Sequence, residues 1–179
     1  MSKNQQNLRI GECEAWIDDG TNPEYLYGHS KGGVEFQFER EFEDLTHDQG
    51  GETPVDMALK GNNLLIKFMN AEPTIPHLNV AIPEGKHGDG SIAENLGLGT
   101  DSGYLLSGDA VLLRLHPRKN AADDYTEDIY VWKAVSSENI EFAFKIDEQR
   151  VVPVTFRALY DDTQPDGQRL GRVGTQDIS

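Results

Sequence analysis

The chain has 179 residues, and its 31 Asp and Glu residues against 16 Lys and Arg residues give a formal net charge of −15 at pH 7. A chain of this length can bury a core without disulfide or metal support, so we expect a single domain over residues 1–179 with tails at about 1–9 and 162–179. The negative charge argues against tight binding to DNA, RNA or anionic membranes, because cationic side chains supply most of that affinity.

The N-terminal residues contain no apolar stretch typical of a secretory signal, and the single cysteine, Cys13, cannot form an internal disulfide. We therefore expect folding in a reducing cytosol. The longest uncharged apolar runs are also far too short to cross a bilayer, so no membrane association is expected.

A period of two dominates the first half of the chain and predicts strands. Residues 33–44 place aromatic and aliphatic side chains on one face and acidic or amide side chains on the other. Weaker alternation predicts strands at 11–18 and 53–60. Residues 62–72 fit a strand best, although their spacing also fits a short helix.

The second half predicts four more strands, separated by polar turns, at 108–116, 127–136, 139–146 and 150–160. Pro153 indicates an edge strand or a bulge. Glycine and proline predict loops over 73–103, with a short helix at 75–81 or 92–96. Together these patterns predict a mainly β fold, an antiparallel β-sandwich of seven or eight strands with at most one helix.

Motifs for catalysis and for metal binding are absent from the sequence. There is no phosphate-binding loop, nucleophile elbow, zinc-protease helix or CxxC pair. The HGD sequence at 87–89 and the acidic run from Asp162 lack the further ligands that a transition metal or calcium needs. We expect no enzymatic activity, no metal and no cofactor.

Acidic pairs in predicted turns could supply a glycosidase acid and base, and Trp16 and Trp132 could stack on a sugar. Solvated turns and packing against neighbouring strands are the commoner roles of such residues. Neither pattern justifies a catalytic assignment.

Residues 32–61 resemble the signature region of tail tube proteins of long-tailed bacteriophages. In that family an acidic and aromatic strand enters a polar loop with a D-Q-x-G-x-x-P-x-D pattern, followed by a second strand ending in glycine. Here the loop contains Asp48, Gln49, Gly51, Pro54 and Asp56, with an additional glycine at position 50. Residues 112–117 and 130–160 extend the resemblance to about half of the chain.

The resemblance implies a tail-tube β-sandwich with one short flanking α-helix, a long inter-strand loop and extended termini. It implies a virion protein, made in the host cytoplasm, that forms stacked hexameric rings around a tape-measure protein and contacts tail-tip or terminator proteins. Double-stranded DNA would later pass through the tube without tight binding.

Six copies would carry six times −15, or −90. An acidic wall would repel DNA and keep it from adhering. The alternatives are an acidic outer surface or ion pairs with the next subunit. Arg40 falls on the apolar face, where it marks either an inter-subunit ion pair or a bulge. The residues expected to face the lumen are Glu35, Gln37, Glu39, Glu41 and Glu43.

The polar loop between the two strands is too long for a tight hairpin. In the family this loop reaches the adjacent ring, whereas the ordinary alternative is a surface loop without a partner. The residues expected to stack rings are Asp44, Thr46, His47, Asp48, Gln49, Gly50, Gly51 and Glu52.

Two other functions remain open at this stage. An acidic β-sandwich that binds carbohydrate or protein would stay monomeric. A tube protein of a phage-derived secretion or injection system would share the fold and assembly but eject protein rather than DNA.

Overall fold

The computed structural model describes residues 11–20, 24–48, 51–90 and 93–175. Strands dominate, and one α-helix of seven residues is present in this part of the chain, which confirms the predicted mainly β class. The elements are β1 (Cys13–Asp18), β2 (Tyr25–Leu26), β3 (Ser30–Leu45), β4 (Asp56–Asn70), α1 (Ile75–Ala81), β5 (Lys86–Gly90), β6 (Ala93–Gly97), β7 (Val111–Pro117), β8 (Ile129–Ser136), β9 (Val152–Ala158) and β10 (Gly171–Val173).

Eight strands form one antiparallel sheet in the order β2-β1-β7-β8-β9-β4-β3, with β10 also beside β8. Strands β2 and β3 stand at opposite ends of this order, yet three residues, 27–29, connect them. Backbone N–H groups of Tyr27 and Ala71 donate to the carbonyls of Ala15 and His29, both at 2.8 Å. The predicted sandwich is therefore one sheet that curves back on itself.

The core lies inside this curved sheet, and alternation along each strand fills it. Ile17, Leu113 and Val131 are neighbours across β1, β7 and β8, and all three are fully buried. Ile66 of β4 faces Phe156 of β9 in the same way. Each such side chain contributes about 1.5–3 kcal/mol through burial, so these rows hold the sheet together.

Helix α1 covers one side of the core. Pro76 stands in its first turn, where a missing N–H costs nothing, and the Thr74 hydroxyl caps the helix by accepting from the His77 N–H at 3.4 Å. The buried Tyr27 hydroxyl donates to the His77 carbonyl at 2.6 Å and so ties the helix to the sheet. The predicted helix at 75–81 is confirmed.

The two strands predicted between residues 53 and 72 are a single strand, β4, which continues through Gly61. Its register to β3 shifts by one residue between Gly61 and Leu59, which leaves Lys60 as the extra residue of a β-bulge. The bulge restores Leu59 to the face that carries Phe42. Pro153 lies opposite Met69, in the part of β9 that has β4 as its one partner, as an edge position predicts.

The predicted strand at 139–146 is wrong, because the structure has no strand there. The segment pairs with no described strand, and its alternation instead lays Ile140 and Phe142 against the core. A hairpin of β5 and β6 was missed within the glycine-rich region, where the sequence has little apolar alternation.

Strand β10 lies within the segment expected to be a tail. Gly171 brings it close to β8, since a β-carbon at this position would lie 2.3 Å from the Tyr130 carbonyl oxygen. A glycine selected for close backbone approach leaves no hydrophobic pattern in the sequence, which is why β10 was not predicted.

Candidate functional site

A two-stranded arm projects beyond the sheet. Strand β9 pairs with β4 from Leu65 to Asn70, so residues 38–45 of β3 and 56–63 of β4 pair with each other and with no third described strand. We call these residues, with the connection 46–55, the arm. Its strands extend for about 26 Å, from eight residues at about 3.3 Å each.

One face of the arm is apolar and exposed. It continues the core face of β3 and β4, where Leu64 and Phe68 are buried, into a region with no opposing layer. The large side chains on it expose between 39% and 61% of their surface, and together they leave about 500 Å² of apolar area in contact with solvent. They are Phe38, Phe42, Met57 and Leu59 of the arm, together with Phe36, which precedes the arm on the same face of β3.

The opposite face of β3 is acidic and carries all five residues predicted to face the lumen, of which Glu39, Glu41 and Glu43 belong to the arm. Its hydrogen bonds and ion pair are local. Glu39 accepts hydrogen bonds from Gln37 at 2.6 Å and from Asn63 at 3.0 Å, and Glu43 lies 3.8 Å from the Lys60 ammonium. The exposed ion pair neutralises little charge, because water screens it.

Glu39, Glu41 and Glu43 follow one another about 7 Å apart along the strand, and each neighbouring pair repels by about 0.6 kcal/mol in water. The face is therefore a persistent negative surface. The β-strand alternation that predicted it is confirmed by the register of β3 and β4. Whether it lines a lumen stays a prediction.

Arg40 lies on the apolar face, opposite Asn62. Its guanidinium stands 5.5 Å from the centre of the Phe42 ring, in a cation–π contact. Among the described residues no carboxylate forms an ion pair with it. The guanidinium is thus in contact with an aromatic ring of its own strand. An ion pair between Arg40 and another subunit remains a prediction.

The predicted ring-stacking residues lie at the tip of the arm. Asp44 belongs to β3, and Thr46, His47, Asp48, Gly51 and Glu52 lie in the connection, all of them exposed. The Val55 N–H donates to the Leu45 carbonyl at 2.8 Å and closes the base of this loop. Gln49 and Gly50 lie outside the described residues.

A second cluster, which the sequence did not reveal, is buried on the outer face of the sheet. The Arg114 guanidinium donates to both carboxylate oxygens of Glu24, at 2.6 and 2.8 Å, and to Asp128 at 3.4 Å. Asp128 is fully buried and lies 2.7 Å from Nδ1 of His116. The Trp16 ring lies against the same guanidinium at 5.4 Å.

This cluster resembles a hydrogen-bonded His–carboxylate pair but offers no hydroxyl or thiol nucleophile in hydrogen-bond contact with His116 among the described residues. Its groups come from residue 24, β7 and the turn before β8, which it connects. The spacing of Glu24, Arg114 and Asp128 in the sequence gives no signal, because the sheet brings them together. We assign it a structural role.

The two tryptophans pack within the chain. Trp132 stacks on Tyr130 at 5.9 Å and donates its indole N–H to the Gln168 carbonyl at 2.6 Å. Trp16 and Trp132 are both half-buried. Each ring therefore has a neighbour within the chain on one of its faces.

The described residues contain no group of three or more His, Cys, Asp and Glu side chains arranged to hold a metal ion. In the same part of the chain, no helix has both the length and the apolar character needed to span a bilayer.

Comparison with known proteins adds no family to this description. No protein-family model matches the chain, and no curated protein matches it.

Proposed function

We propose that this chain is a structural virion protein that self-assembles into stacked rings, hexameric by resemblance, and so forms the tail tube of a long-tailed bacteriophage. The observation that carries the proposal is the arm, with one apolar face, one acidic face and two unpaired strand edges. The resemblance of residues 32–61 to tail tube proteins lies on the same segment.

Unpaired edges explain why the arm favours assembly. The outer edge of β3 and the edge of β4 over residues 56–63 have no partner within the described chain. An exposed edge of this length is a template for pairing with another chain. Because the two edges are different surfaces of one arm, pairing β3 of one copy with β4 of the next gives a head-to-tail contact that can close into a ring.

Pairing of the arms would place all acidic faces on one side of the ring and all apolar faces on the other. Burying the apolar faces against the subunit bodies leaves the acidic faces for the lumen. A lumen of negative charge lets DNA slide, since there are few cations to bind its phosphates. The net charge of −15 per chain fits that role.

The stacking function of the arm tip is tested by deleting residues 46–52 and, separately, by replacing them with seven Gly and Ser residues. We expect both variants to fold, because the described residues of this segment, 46–48 and 51–52, are exposed and lie beyond the core. Both should form rings but lose tube length in negative-stain electron microscopy. Tubes of unchanged length in the deletion variant would contradict the stacking role.

The lumen assignment is tested with one cysteine on the acidic face, Glu39→Cys, in a Cys13→Ser background. In unassembled subunits the thiol should react with both a small maleimide and a large polymer-linked maleimide. In intact tubes it should react with the small reagent but not with the large one. Equal reaction with both reagents in intact tubes would place the acidic face outside.

A further inference from the structure

Two large apolar side chains after β8 are exposed, although the Phe144 ring contacts the edge of the Phe142 ring at 5.7 Å. In the segment 139–146, Ile140 and Phe142 pack against the core, but Phe144 exposes 79% of its surface and Ile146 is fully exposed. The Arg150 guanidinium lies over the Phe144 ring at 5.1 Å and leaves Ile146 bare. Two adjacent apolar side chains in this state indicate a contact surface.

An open groove of about 1130 Å³ lies at the base of the arm. Its apolar lining combines the arm with two loops of the body, and Leu105 and Tyr160 in these loops are exposed by 78% and 59%. The groove is concave, whereas the pair at 144 and 146 is exposed on the surface. The apolar side chains that line the groove include Phe38, Leu59, Leu105, Tyr160 and Leu170.

The charges of the groove and of the segment are complementary. The groove carries three cations, Lys60, Arg157 and Arg169, against one carboxylate, Asp166, which lies 3.9 Å from Arg169; Lys60 also faces Glu43 at 3.8 Å. The Nε atom of Arg169 is buried and makes no hydrogen bond. In a chain of net charge −15 such a cationic lining is unusual, and residues 139–148 carry three carboxylates against one lysine.

We propose that Phe144 and Ile146 of one copy occupy the groove of the next copy in the ring, with the acidic residues around them facing the groove cations. The inference rests on the proposed self-assembly. A ring needs two different surfaces on each subunit, and this chain supplies a projecting apolar pair and a groove of opposite charge.

The area of this contact shows whether it can hold two copies together by itself. Phe144 and Ile146 together would bury about 300 Å² of apolar surface, and the groove lining would bury a similar area. About 600–700 Å² in total is less than the 1,200–2,000 Å² of a stable interface. The contact therefore works together with pairing of the arm edges.

Cysteine cross-linking tests the contact between copies. In the Cys13→Ser background, chains with Ile146→Cys are mixed with chains carrying Leu59→Cys or Leu105→Cys, assembled and oxidised. We expect a dimer on non-reducing gels in the assembled fraction, and only when both variants are present. Leu98→Cys, at an exposed position outside the groove, replaces the groove cysteine in the control.

Tubes that form normally without cross-links above the control would overturn the inference, because another part of the assembly would then fill the groove. A chain carrying both cysteines that cross-links within itself as a monomer would overturn it too. Failure of the parent chain to assemble at all would instead contradict the proposed function, so the two failures are distinguishable.

A second test uses Ile146→Ser alone and together with Phe144→Ser. Because Ile146 is fully exposed, the single variant should leave the unfolding midpoint unchanged. We expect the concentration needed for assembly to rise about tenfold for the single variant and about 100-fold for the double variant. Leu98→Ser is the matched control, and equal assembly of all four proteins would refute the contact.

Discussion

Removing apolar surface from the arm should prevent assembly while leaving the body folded. The perturbation is the double variant Phe42→Ser and Leu59→Ser, which removes a cross-strand pair on the apolar face. These side chains expose 45% and 52% of their surface in the single chain. About 180 Å² of apolar area is thus still available for burial against another copy.

At about 25 cal/mol per Å² this area contributes about 4.5 kcal/mol to each contact between copies. Serine retains little of that, so the subunit affinity should fall by about 4 kcal/mol, or roughly 1,000-fold. Half of each side chain already packs within the arm, so the arm itself should loosen. The core lies beyond the region in which β9 pairs with β4, away from the arm. We therefore expect the unfolding midpoint of the body to stay unchanged.

Sedimentation over a concentration series measures this effect directly, with circular dichroism to verify the fold. The double variant should remain unassembled at concentrations hundreds of times above the wild-type threshold. Leu98→Ser, which removes a comparable exposed side chain from a loop outside the arm, should assemble normally. A double variant with the wild-type threshold would refute the role of the apolar face.

Three further predictions concern the body of the protein. Asp128→Ala should lower the free energy of unfolding in urea by about 3–5 kcal/mol, because it leaves the buried His116 imidazole without its carboxylate and Arg114 with Glu24 alone. A hydrogen bond from Lys133 lowers the pKa of Asp161 from 3.8 to about 2. The ionised carboxylate therefore stabilises the fold fully above about pH 4, and this stabilisation is lost as the pH falls towards 2. Asp161→Asn should remove this part of the pH dependence of unfolding. Gly171→Ala should destabilise the chain by about 1–3 kcal/mol in the same urea assay, because the added methyl group meets β8, whereas Gly108→Ala, which meets nothing within 4 Å, should have little effect.

The sequence predicted the strands whose two faces differ. Residues 33–44 alternate so strongly that both faces of β3 follow from the pattern, and one-sided burial of β1 follows from Ala15 and Ile17. Helix α1 could be placed because Thr74 and Pro76 are typical start signals. These elements depend on local chemistry, which a single sequence contains.

Features that depend on distant parts of the chain could not be predicted. Residues 139–146 have the alternation of a strand, but a strand also needs backbone pairing with a neighbouring strand, and no described strand pairs with them. The ion-pair cluster unites Glu24, Arg114 and Asp128 over up to 104 positions of sequence separation, counted from their numbers. The curvature of the sheet follows from pairings that no local pattern specifies.

The arm contains both kinds of feature, those that a local pattern predicts and those that depend on distant parts of the chain. Its two strands and its acidic face followed from alternation, whereas its projection beyond β9 depends on where β9 ends at Ala158 and where its pairing with β4 stops. Because of that projection, the outer part of the hairpin has strand edges without a partner in the described chain. The proposed assembly therefore depends on a property of the fold that the pattern of the strands did not show.

The central claim is that this chain assembles with itself, and the most direct measurement combines sedimentation with negative-stain electron microscopy of the purified protein at increasing concentration. Our account predicts a transition from monomers to rings or tubes about 100 Å wide, the size expected for six domains of about 20 kDa around a channel. A monomer that persists at every concentration up to the solubility limit would contradict it.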